Sequence, residues 1–443
     1  MTRATRRHRS RPCRRSSSTV RRRAVAVGLA LLAVAPLSGA AAVPGFGHGP
    51  YAGAPSVDEV TISWLVSPPL PARVEYGVEE DYRVTGVFGF ALEVPAIEQD
   101  AFHKTTHATI GGLKPATDYV YRVVLRGEGE EAASPVGRFR TAPLAGTPVS
   151  FVVLADTQKQ VEGASRLALV GDAIATDELS YDFILHAGDV VESPVDTYWD
   201  DWFVSFDHML RRAPFLPVLG NHERNHRSYY DAFALPPGGG KDGKQWWALH
   251  WGDVVVCGLD TNVSRVADYY AQQDWARTHL AGPEEHKFVI FHHPVFSSDA
   301  YHGSGYSYDV IYHPIFVEHG VDIVFNGHAH NYERIERDGI TYLVVGGGGA
   351  TPREFAPEHV DGSVVATEGH YFYVRVSTSP GRIAVEVPSV AVEQGEPPTM
   401  TPGLLLDALE LPAARGRLPL GLVALLVAGG AVLAALLLGL LRR

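Results

Sequence analysis

The sequence contains very little cysteine. Only Cys13 and Cys257 occur among its 443 residues. Cys13 lies in an arginine-rich N-terminal stretch that is expected to be removed, so the remaining chain has no intramolecular disulfide. Cys257 belongs to the apolar run "DVVVCGLD", which is typical of a strand, and it is predicted to be a small buried hydrophobic residue.

Positive charge is also scarce outside the N-terminus. The chain has 38 basic and 50 acidic residues, and ten of the basic ones are arginines within residues 1–23, so the chain without them carries a formal net charge of −22. This balance argues against binding nucleic acid or an anionic membrane through a basic surface. It does not exclude an anionic substrate held by a metal. The sequence also lacks a Walker-type Gly-Lys-Ser/Thr motif, and "VGGGGA" is interpreted as a tight backbone passage rather than a nucleotide-binding loop.

The N-terminus has the pattern of an export signal. The arginine-rich stretch precedes an apolar run, "AVAVGLALLAVA", and then a stretch of small residues. Residues 1–42 are therefore predicted to be a signal peptide, cleaved near Ala40 or Ala42. The three consecutive arginines before the apolar run also permit twin-arginine export.

The C-terminus has the pattern of a membrane anchor. Residues 418–441 are predicted to be a transmembrane helix: the 22 residues 420–441 carry no charge and are followed by two arginines, and this length is enough to span a hydrocarbon core of about 30 Å. Residues 392–417 are rich in Pro, Glu and Gly and are interpreted as a linker. We therefore expect a protein of the cell membrane with its catalytic part on the extracytoplasmic side.

Between these termini, two domains are expected. Residues 44–54 read as a linker, and residues 55–143 alternate in the manner of strands, which predicts a β-sandwich. The spacing of five residues resembles the tyrosine corner of a fibronectin type III domain: Leu113, Pro115, Thr117, Tyr119 and Tyr121. Residues 148–391 alternate strands with helices, which predicts an α/β layered domain, with later hairpins widening the sheets.

Polar residues follow the apolar strands of the second domain, where each strand ends. They are Asp156, Asp189, Asn221, His222, His292, His328 and His330. Ligands bind beyond the carboxyl ends of strands in open α/β sheets, so these side chains are expected to meet. Carboxylates and imidazoles without a thiolate suit Zn, Mn or Fe.

The order of these motifs, "AD…GD…GNHE…H-x-P…GHAHNYER", resembles the calcineurin-like metallophosphoesterases, and purple acid phosphatases in particular. Proteins of that kind also place a fibronectin-like domain before the catalytic one. The resemblance covers about residues 55–390. It implies a β-sandwich flanked by helices that holds two divalent metal ions.

The resemblance also implies a role for each residue. Asp189 would bridge both ions, Asp156 and His330 would complete the first, and the second would be held by Asn221, His292 and His328. His222 would either support a neighbouring ligand or act on the leaving group, and His302 would face the substrate. His293 is more simply a supporting or structural residue.

Two positions depart from the purple acid phosphatase pattern. Glu192 stands where those enzymes have the tyrosine that binds Fe(III), and Gln158 stands where they usually have glycine. Gln158 either reaches the first metal through its carbonyl oxygen or forms supporting hydrogen bonds. Both changes put iron-based chemistry in doubt without removing the metal pair.

The sequence therefore predicts an exported, membrane-anchored phosphoesterase that hydrolyses phosphorylated small molecules, chiefly phosphomonoesters, through a metal-bound hydroxide. Phosphodiester or nucleotide hydrolysis at the same site is the alternative. A cell-surface binding module that has lost its activity is a third reading, disfavoured because every strand end keeps its ligand.

Overall fold

A computed structural model describes residues 45–412 apart from 102, 159–164, 264, 306 and 396. The predicted signal peptide, residues 1–42, and the predicted membrane helix, residues 418–441, lie outside this range. Within it, no helix is long and apolar enough to cross a membrane. The longest helices described have 15 residues, whereas a span needs about 20 apolar ones. The described residues therefore contain no membrane-spanning helix, in contrast to the fold class predicted from the sequence.

The N-terminal domain is a β-sandwich, as the alternating pattern predicted. Its strands are β1 His48–Gly53, β2 Val60–Leu65, β3 Ala72–Val78, β4 Phe90–Val94, β5 Thr105–Ile110, β6 Asp118–Arg126, β7 Glu131–Ala133 and β8 Gly137–Arg140, and helix α1 is Glu79–Thr85. One sheet has the strand order β1-β2-β5, and the other has the order β4-β3-β6-β7 with β8 beside β6. Trp64, Tyr121 and Phe139 pack between the sheets and are almost fully buried.

The sandwich begins earlier than predicted, because β1 lies within the expected linker, residues 44–54. This strand packs against two helices of the second domain: the His48 ring stacks on Phe203 at 3.9 Å, and the Tyr51 hydroxyl donates to the carbonyl oxygen of Ala232. Its Gly- and Pro-rich composition predicted a linker instead of a strand, because the strand is stabilised by these tertiary contacts rather than by strand propensity.

The second domain consists of two facing sheets with helices outside. Its strands are β9 Val149–Leu154, β10 Phe183–His186, β11 Phe215–Pro217, β12 Gly238–Gly239, β13 Trp246–Trp251, β14 Val254–Gly258, β15 His286–Phe291, β16 Ile323–Asn326, β17 Tyr332–Arg337, β18 Ile340–Val345, β19 Ser363–Thr367, β20 His370–Phe372, β21 Val374–Ser379, β22 Arg382–Val392, β23 Thr399–Met400 and β24 Leu405–Pro412. Its helices are α2 Ser165–Thr176, α3 Asp196–Leu210, α4 Arg227–Ala232, α5 Val266–Leu280, α6 Tyr308–Ile311 and α7 His313–His319, with a 3₁₀ turn at Lys241–Gly243.

The first sheet has the order β11-β10-β9-β21-β22-β20, and the second has the order β12-β13-β14-β15-β16-β18-β17-β19. Aromatic rings join the sheets: Phe151 of the first contacts Phe288 and Phe325 of the second at 5.2 and 6.3 Å. Helices α2 and α3 pack on the first sheet, and α5 and α7 cover the second. The layered α/β arrangement predicted from the sequence is therefore confirmed.

Parallel strands of both sheets end at the same rim. Strands β9, β10 and β11 run parallel in the first sheet, and β14, β15, β16 and β18 do so in the second. Strands β21 and β22 pair antiparallel and widen the first sheet. The loops that follow the parallel strands therefore converge.

The region interpreted as a linker, residues 392–417, contains part of the folded domain. Strand β24 pairs antiparallel with β22 along most of its length. Asp407 in β24 accepts hydrogen bonds from the Tyr332 hydroxyl (2.8 Å) and from Nε of Arg334 (2.7 Å). The linker interpretation is therefore wrong at least as far as residue 412, because these contacts fix the strand to both sheets.

Candidate metal centre

The two sheets supply the predicted site from opposite sides. Asp156, Asp189 and Asn221 follow β9, β10 and β11 of the first sheet. His292, His328 and His330 follow β15 and β16 of the second. Direct contacts connect all six residues, so the structure brings together the complete set of metal ligands that the resemblance implied.

The centre of the group is Nε2 of His292. Its partner nitrogen, Nδ1, donates to the carbonyl oxygen of Ala187 at 2.9 Å, so in a neutral ring Nε2 carries a lone pair. Three further atoms that can offer a lone pair surround Nε2, and they are Asp189 Oδ2 at 3.1 Å, Asn221 Oδ1 at 3.1 Å and His328 Nδ1 at 3.2 Å. When all four act as acceptors, they require a positive charge among them.

The electrostatics of this group agree with that requirement. Burial opposes protonation of His292, but the charge of Asp189 outweighs it and raises the pKa of the ring to about 9. Burial likewise opposes ionisation of Asp189, yet the charge of His292 lowers the pKa of that carboxyl. The pocket thus holds both a carboxylate and a positive charge, and a metal ion would replace the proton. Asp189, His292 and His328 offer ligand atoms within 4.8 Å of one another.

A second group of candidate metal ligands, formed by Asp156 and His330, lies beside the first. His330 donates from Nδ1 to the carbonyl oxygen of Thr351 at 2.8 Å, which leaves Nε2 facing Asp156 Oδ1 at 3.5 Å. Asp156 also accepts the backbone N–H of His328 at 2.9 Å. The orientation of this imidazole is fixed by a backbone carbonyl, as in many metal sites. These residues fit the first ion of a pair.

The backbone is strained at three of the candidate ligands. Asp156, Asp189 and His328 have φ angles of 58°, 57° and 70°, in the left-handed region that non-glycine residues rarely adopt. Such conformations persist only where the surroundings enforce them, and they concentrate at functional sites. Here each one turns a side chain toward the converging loops.

Glycines let the backbone pass close to both aspartates. A Cβ on Gly220 would lie 2.0 Å from Asp189 Oδ1, and one on Gly327 would lie 2.6 Å from Asp156 Oδ2. In "VGGGGA", a Cβ on Gly348 would lie 2.2 Å from the carbonyl oxygen of Ala155. The structure therefore places that run as a tight backbone passage beside the site.

Glu223 is a site residue to which the sequence analysis gave no role. Its buried carboxylate accepts the backbone N–H groups of Gly220 (2.7 Å), Asp189 (3.1 Å) and Val191 (3.1 Å). Burial, followed by the charge of Asp189, raises its pKa to about 7. The sequence does hold a signal for this role. Glu223 is the last residue of "GNHE", and an acidic side chain in such a turn can accept hydrogen bonds from buried backbone N–H groups.

We expect Glu223→Ala to destabilise the folded domain. Three buried N–H groups would lose their acceptor, at about 1–3 kcal/mol each, so the thermal midpoint should fall by roughly 5–10 °C. Differential scanning fluorimetry of the purified protein measures this shift. Replacement of the exposed Glu358 by alanine is the control and should change the midpoint little; an equal effect of both substitutions would contradict the role given to Glu223.

The candidate catalytic histidines lie beside the ligand group. His222 donates from Nδ1 to the carbonyl oxygen of Glu192 at 2.7 Å, and its Nε2 lies 3.7 Å from Asp189 Oδ2. The His302 ring lies 4.0 Å from the His328 ring, centroid to centroid. Asp299 fixes the loop that carries His302, because its carboxylate accepts the backbone N–H of His302 at 2.6 Å. The sequence motifs assigned no role to Asp299.

His293 and Glu192 occupy supporting positions. His293 Nδ1 contacts the Thr261 hydroxyl at 2.7 Å, and burial lowers the pKa of the ring to about 3. Its ring lies 4.5 Å from that of His328, so it packs behind a candidate ligand. Glu192 fixes His222 through its backbone oxygen, and its carboxylate lies 3.6 Å from Nδ1 of that ring.

The fold and the site together resemble those of metal-dependent phosphoesterases, and the comparisons agree. Residues 149–332 match the calcineurin-like phosphoesterase family, and residues 33–143 match the N-terminal domain of PhoD-like phosphatases. The chain is thus similar to calcineurin-like metallophosphoesterases and to purple acid phosphatases, and the resemblance predicted from its motifs is confirmed. Enzymes of this class use binuclear metal centres, which agrees with the candidate site.

Individual relatives are distant. Purple acid phosphatase 15 of Arabidopsis thaliana is 27% identical over 312 residues, which cover 58% of this chain and 55% of that protein. Protein Rv2577 of Mycobacterium tuberculosis is 28% identical over 274 residues, which cover 52% and 50%. The chain therefore spans about half the length of these curated relatives.

Solved structures share the fold. The purple acid phosphatase from yellow lupin (Lupinus luteus) seeds has a TM-score of 0.66 at 18% identity, covering 82% of this chain and 74% of that one. PhoD has a TM-score of 0.64 at 12% identity, covering 83% and 90%.

The N-terminal match corrects one prediction. The sandwich resembles the PhoD-like N-terminal domain rather than a fibronectin type III domain. The predicted corner does form, with the backbone N–H of Lys114 donating to the Tyr119 hydroxyl at 3.0 Å. The tyrosine corner and the alternating strands are features that β-sandwiches of different families share. They therefore identify the architecture and not the family.

Proposed function

We propose that the chain hydrolyses phosphomonoesters at a site that holds two divalent metal ions. The observation that carries this proposal is the convergence of Asp189 Oδ2, Asn221 Oδ1 and His328 Nδ1 on Nε2 of His292. These acceptors fit a cation, and their oxygen and nitrogen chemistry suits Mn, Zn or Fe. When bound, the metal pair supplies an activated water and neutralises charge on the phosphoryl group.

The candidate ligands would be shared between the two ions. Oδ2 of Asp189 lies 3.1 Å from His292 Nε2 and 3.4 Å from Nε2 of Gln158, which in turn lies 3.4 Å from Nε2 of His330. This position supports the proposal that Asp189 would bridge two ions. Asp156 and His330 would complete the first, and Asn221, His292 and His328 the second.

His222 is the group that would protonate the leaving alkoxide. The carbonyl oxygen of Glu192 fixes the Nδ1 side of the ring, so Nε2 is the nitrogen left to meet the substrate. His302 is held above His328 and would donate to a phosphoryl oxygen. The formal net charge of −22 outside the N-terminal arginines supports a small phosphorylated substrate rather than a nucleic acid.

Metal analysis and a substrate panel test the proposal. Purified protein should contain about two ions per chain and should hydrolyse phosphomonoesters faster than phosphodiesters or nucleotides, with activity lost on chelation and restored by Mn(II) or Zn(II). If the protein binds metal but hydrolyses phosphodiesters faster, the proposed substrate class is wrong and phosphodiesters take its place. Protein that binds metal and cleaves no phosphoester would support a binding module instead.

Export is a further part of the proposal. It is supported by the arginine-rich, apolar and small-residue pattern of residues 1–42. N-terminal sequencing of the protein isolated from its native host should give a start near residue 41 or 43; a start at Met1 would show that no signal is cleaved.

The enzyme is expected to be colourless. Purple colour in similar enzymes comes from a tyrosinate bound to Fe(III), and Glu192 occupies that tyrosine's position. Of the nearest tyrosines in sequence, Tyr181 directs its hydroxyl to Asp177, and the Tyr198 side chain packs against the hydrophobic core. A visible absorption spectrum of the protein with its native metals checks this, and a strong tyrosinate–Fe(III) band would contradict it.

A further inference from the structure

We propose that His250 and His279 form a further metal site, one that takes a Zn(II) ion. The site is independent of the proposed function, because the two imidazoles lie away from the candidate metal centre. His250 pairs with Val255 at the start of β14, and Glu284 lies in the loop before β15. The candidate metal centre follows the carboxyl ends of the parallel strands, so the two sites lie at opposite ends of the second sheet.

The fold brings the two imidazoles together from a strand and a helix. Side chains alternate along β13: Leu249 and Trp251 pack into the core between the sheets, whereas His250 points to the opposite face. Helix α5 covers that face. His279 is the next to last residue of α5, and its ring lies 4.3 Å from that of Trp275, one turn earlier on the same side of the helix. The end of α5 therefore meets the end of β13.

The two rings meet nitrogen to nitrogen. Nε2 of His250 lies 3.0 Å from Nδ1 of His279. Two nitrogens that bind one Zn(II) ion at about 2.0–2.1 Å lie about 2.9 Å apart for a right angle and about 3.3 Å apart for a tetrahedral angle. In the candidate metal centre, Nδ1 of His328 and Nε2 of His292 lie 3.2 Å apart. The spacing of His250 and His279 is therefore that of two ligands of one ion.

Glu284 sets the tautomer of His250. Its Oε1 lies 2.8 Å from Nδ1 of His250, and an ionised carboxylate only accepts, so Nδ1 carries the proton. In a neutral ring, Nε2 then offers its lone pair toward His279. A carboxylate that fixes the far nitrogen of an imidazole ligand is a common feature of zinc sites.

The surroundings favour a cation. The Glu284 side chain is 10% exposed, and its Oε2 is buried with no hydrogen-bond partner among the described residues. A buried carboxylate oxygen that lacks a donor is stabilised by positive charge nearby. The dipole of α5 adds partial negative charge at its C-terminal end, where His279 lies. The His250 side chain is 47% exposed, so water can reach the ion and complete its coordination.

A Zn(II) ion at this position would join the end of α5 to β13. The link would hold the helix over the second sheet. Because the ion needs both elements in place, its binding would stabilise the folded domain by mass action.

Zinc uptake by the His279→Ala variant tests the inference. After equilibrium dialysis against micromolar Zn(II), elemental analysis should find about one ion per chain more in the wild-type protein than in the variant. The measurement is a difference between two proteins, so it holds whatever number of ions the candidate metal centre takes up. Phosphoester hydrolysis should be the same in both proteins, because the variant leaves that centre intact.

The Glu284→Gln variant should keep the site but weaken it. An amide is neutral and holds the far nitrogen of His250 less strongly than a carboxylate does, so the affinity for Zn(II) should fall by about 10–100-fold. An unchanged affinity would remove the role given to Glu284.

The matched control is His313→Ala. His313 also contacts a carboxylate, since its Nε2 lies 2.8 Å from Asp338 Oδ2, but its Nδ1 contacts the Tyr342 hydroxyl at 2.6 Å instead of a second imidazole. This variant should hold as much zinc as the wild-type protein. An equal loss of zinc from His313→Ala and His279→Ala would indicate non-specific binding to histidines and would overturn the inference.

Equal zinc content in the wild-type protein and His279→Ala would also overturn the inference, and the two imidazoles would then form a hydrogen-bonded pair only. If His279→Ala does not fold, His250→Gln gives the same test with the same two outcomes. A protein that binds this zinc ion and hydrolyses no phosphoester contradicts the proposed function alone.

Discussion

The Asp189→Ala variant should lose hydrolysis by more than about a thousandfold and retain less than about one metal ion per chain. Oδ2 of Asp189 lies 3.1 Å from His292 Nε2 and 3.4 Å from Gln158 Nε2, and Asp189 is the residue proposed to bridge the two ions. Its removal leaves each ion short of a ligand and removes the negative charge that balances them. Activity assays and elemental analysis of the same preparation measure the two losses.

The control for this variant is another Gly-Asp pair of the chain. Asp172, in Gly171-Asp172 of helix α2, is exposed and outside the donor group. Asp172→Ala should therefore keep wild-type metal content and activity. If Asp189→Ala behaves like Asp172→Ala, the metal site has been placed wrongly.

The His222→Ala variant should lower kcat by about 10²–10³-fold while both metal ions remain bound. His222 is positioned by a hydrogen bond to the carbonyl oxygen of Glu192 and is expected to act on the leaving group. Substrates with a good leaving group, such as aryl phosphates, should lose less activity than alkyl phosphates, because their departure needs less protonation. A purely structural role would lower both rates equally.

His226→Ala is the matched control. His226 lies four residues further on, where its side chain accepts from the backbone of Ser228 and caps helix α4. It should leave kcat close to the wild-type value. Loss of metal from His222→Ala would instead identify His222 as a ligand.

The candidate site could be predicted because its residues carry local signals. Each ligand follows an apolar strand, and that polarity change fixes both the end of the strand and the edge of the sheet where the side chain lies. "FILHAGD" and "IVFNGHAH" show this without knowledge of tertiary contacts. The residues that support the ligands could not be predicted in this way. Glu223 and Asp299 act on backbone N–H groups that only the folded loops bring near them.

The fold was harder to predict at its edges. Strand β1 contains two glycines and a proline, and β24 alternates between partly buried and exposed residues at the side of β22. Both are stabilised by partners distant in sequence, so composition made them look like linkers. The sandwich was recognised correctly as an architecture, but the same alternation is compatible with several families, and the fibronectin assignment went beyond it.

The origin of the candidate ligands from two facing sheets links metal supply to folding. An ion held by Asp189 from one sheet and His292 from the other binds only when the sheets have docked, so its binding free energy adds to the stability of the docked state. At a free metal concentration one hundred times the dissociation constant, each such ion would contribute about 2.7 kcal/mol. This is a sizeable share of the roughly 5–15 kcal/mol by which domains are stable. Metal availability would therefore set how much of the protein resists unfolding and proteolysis, in addition to how much of it is active.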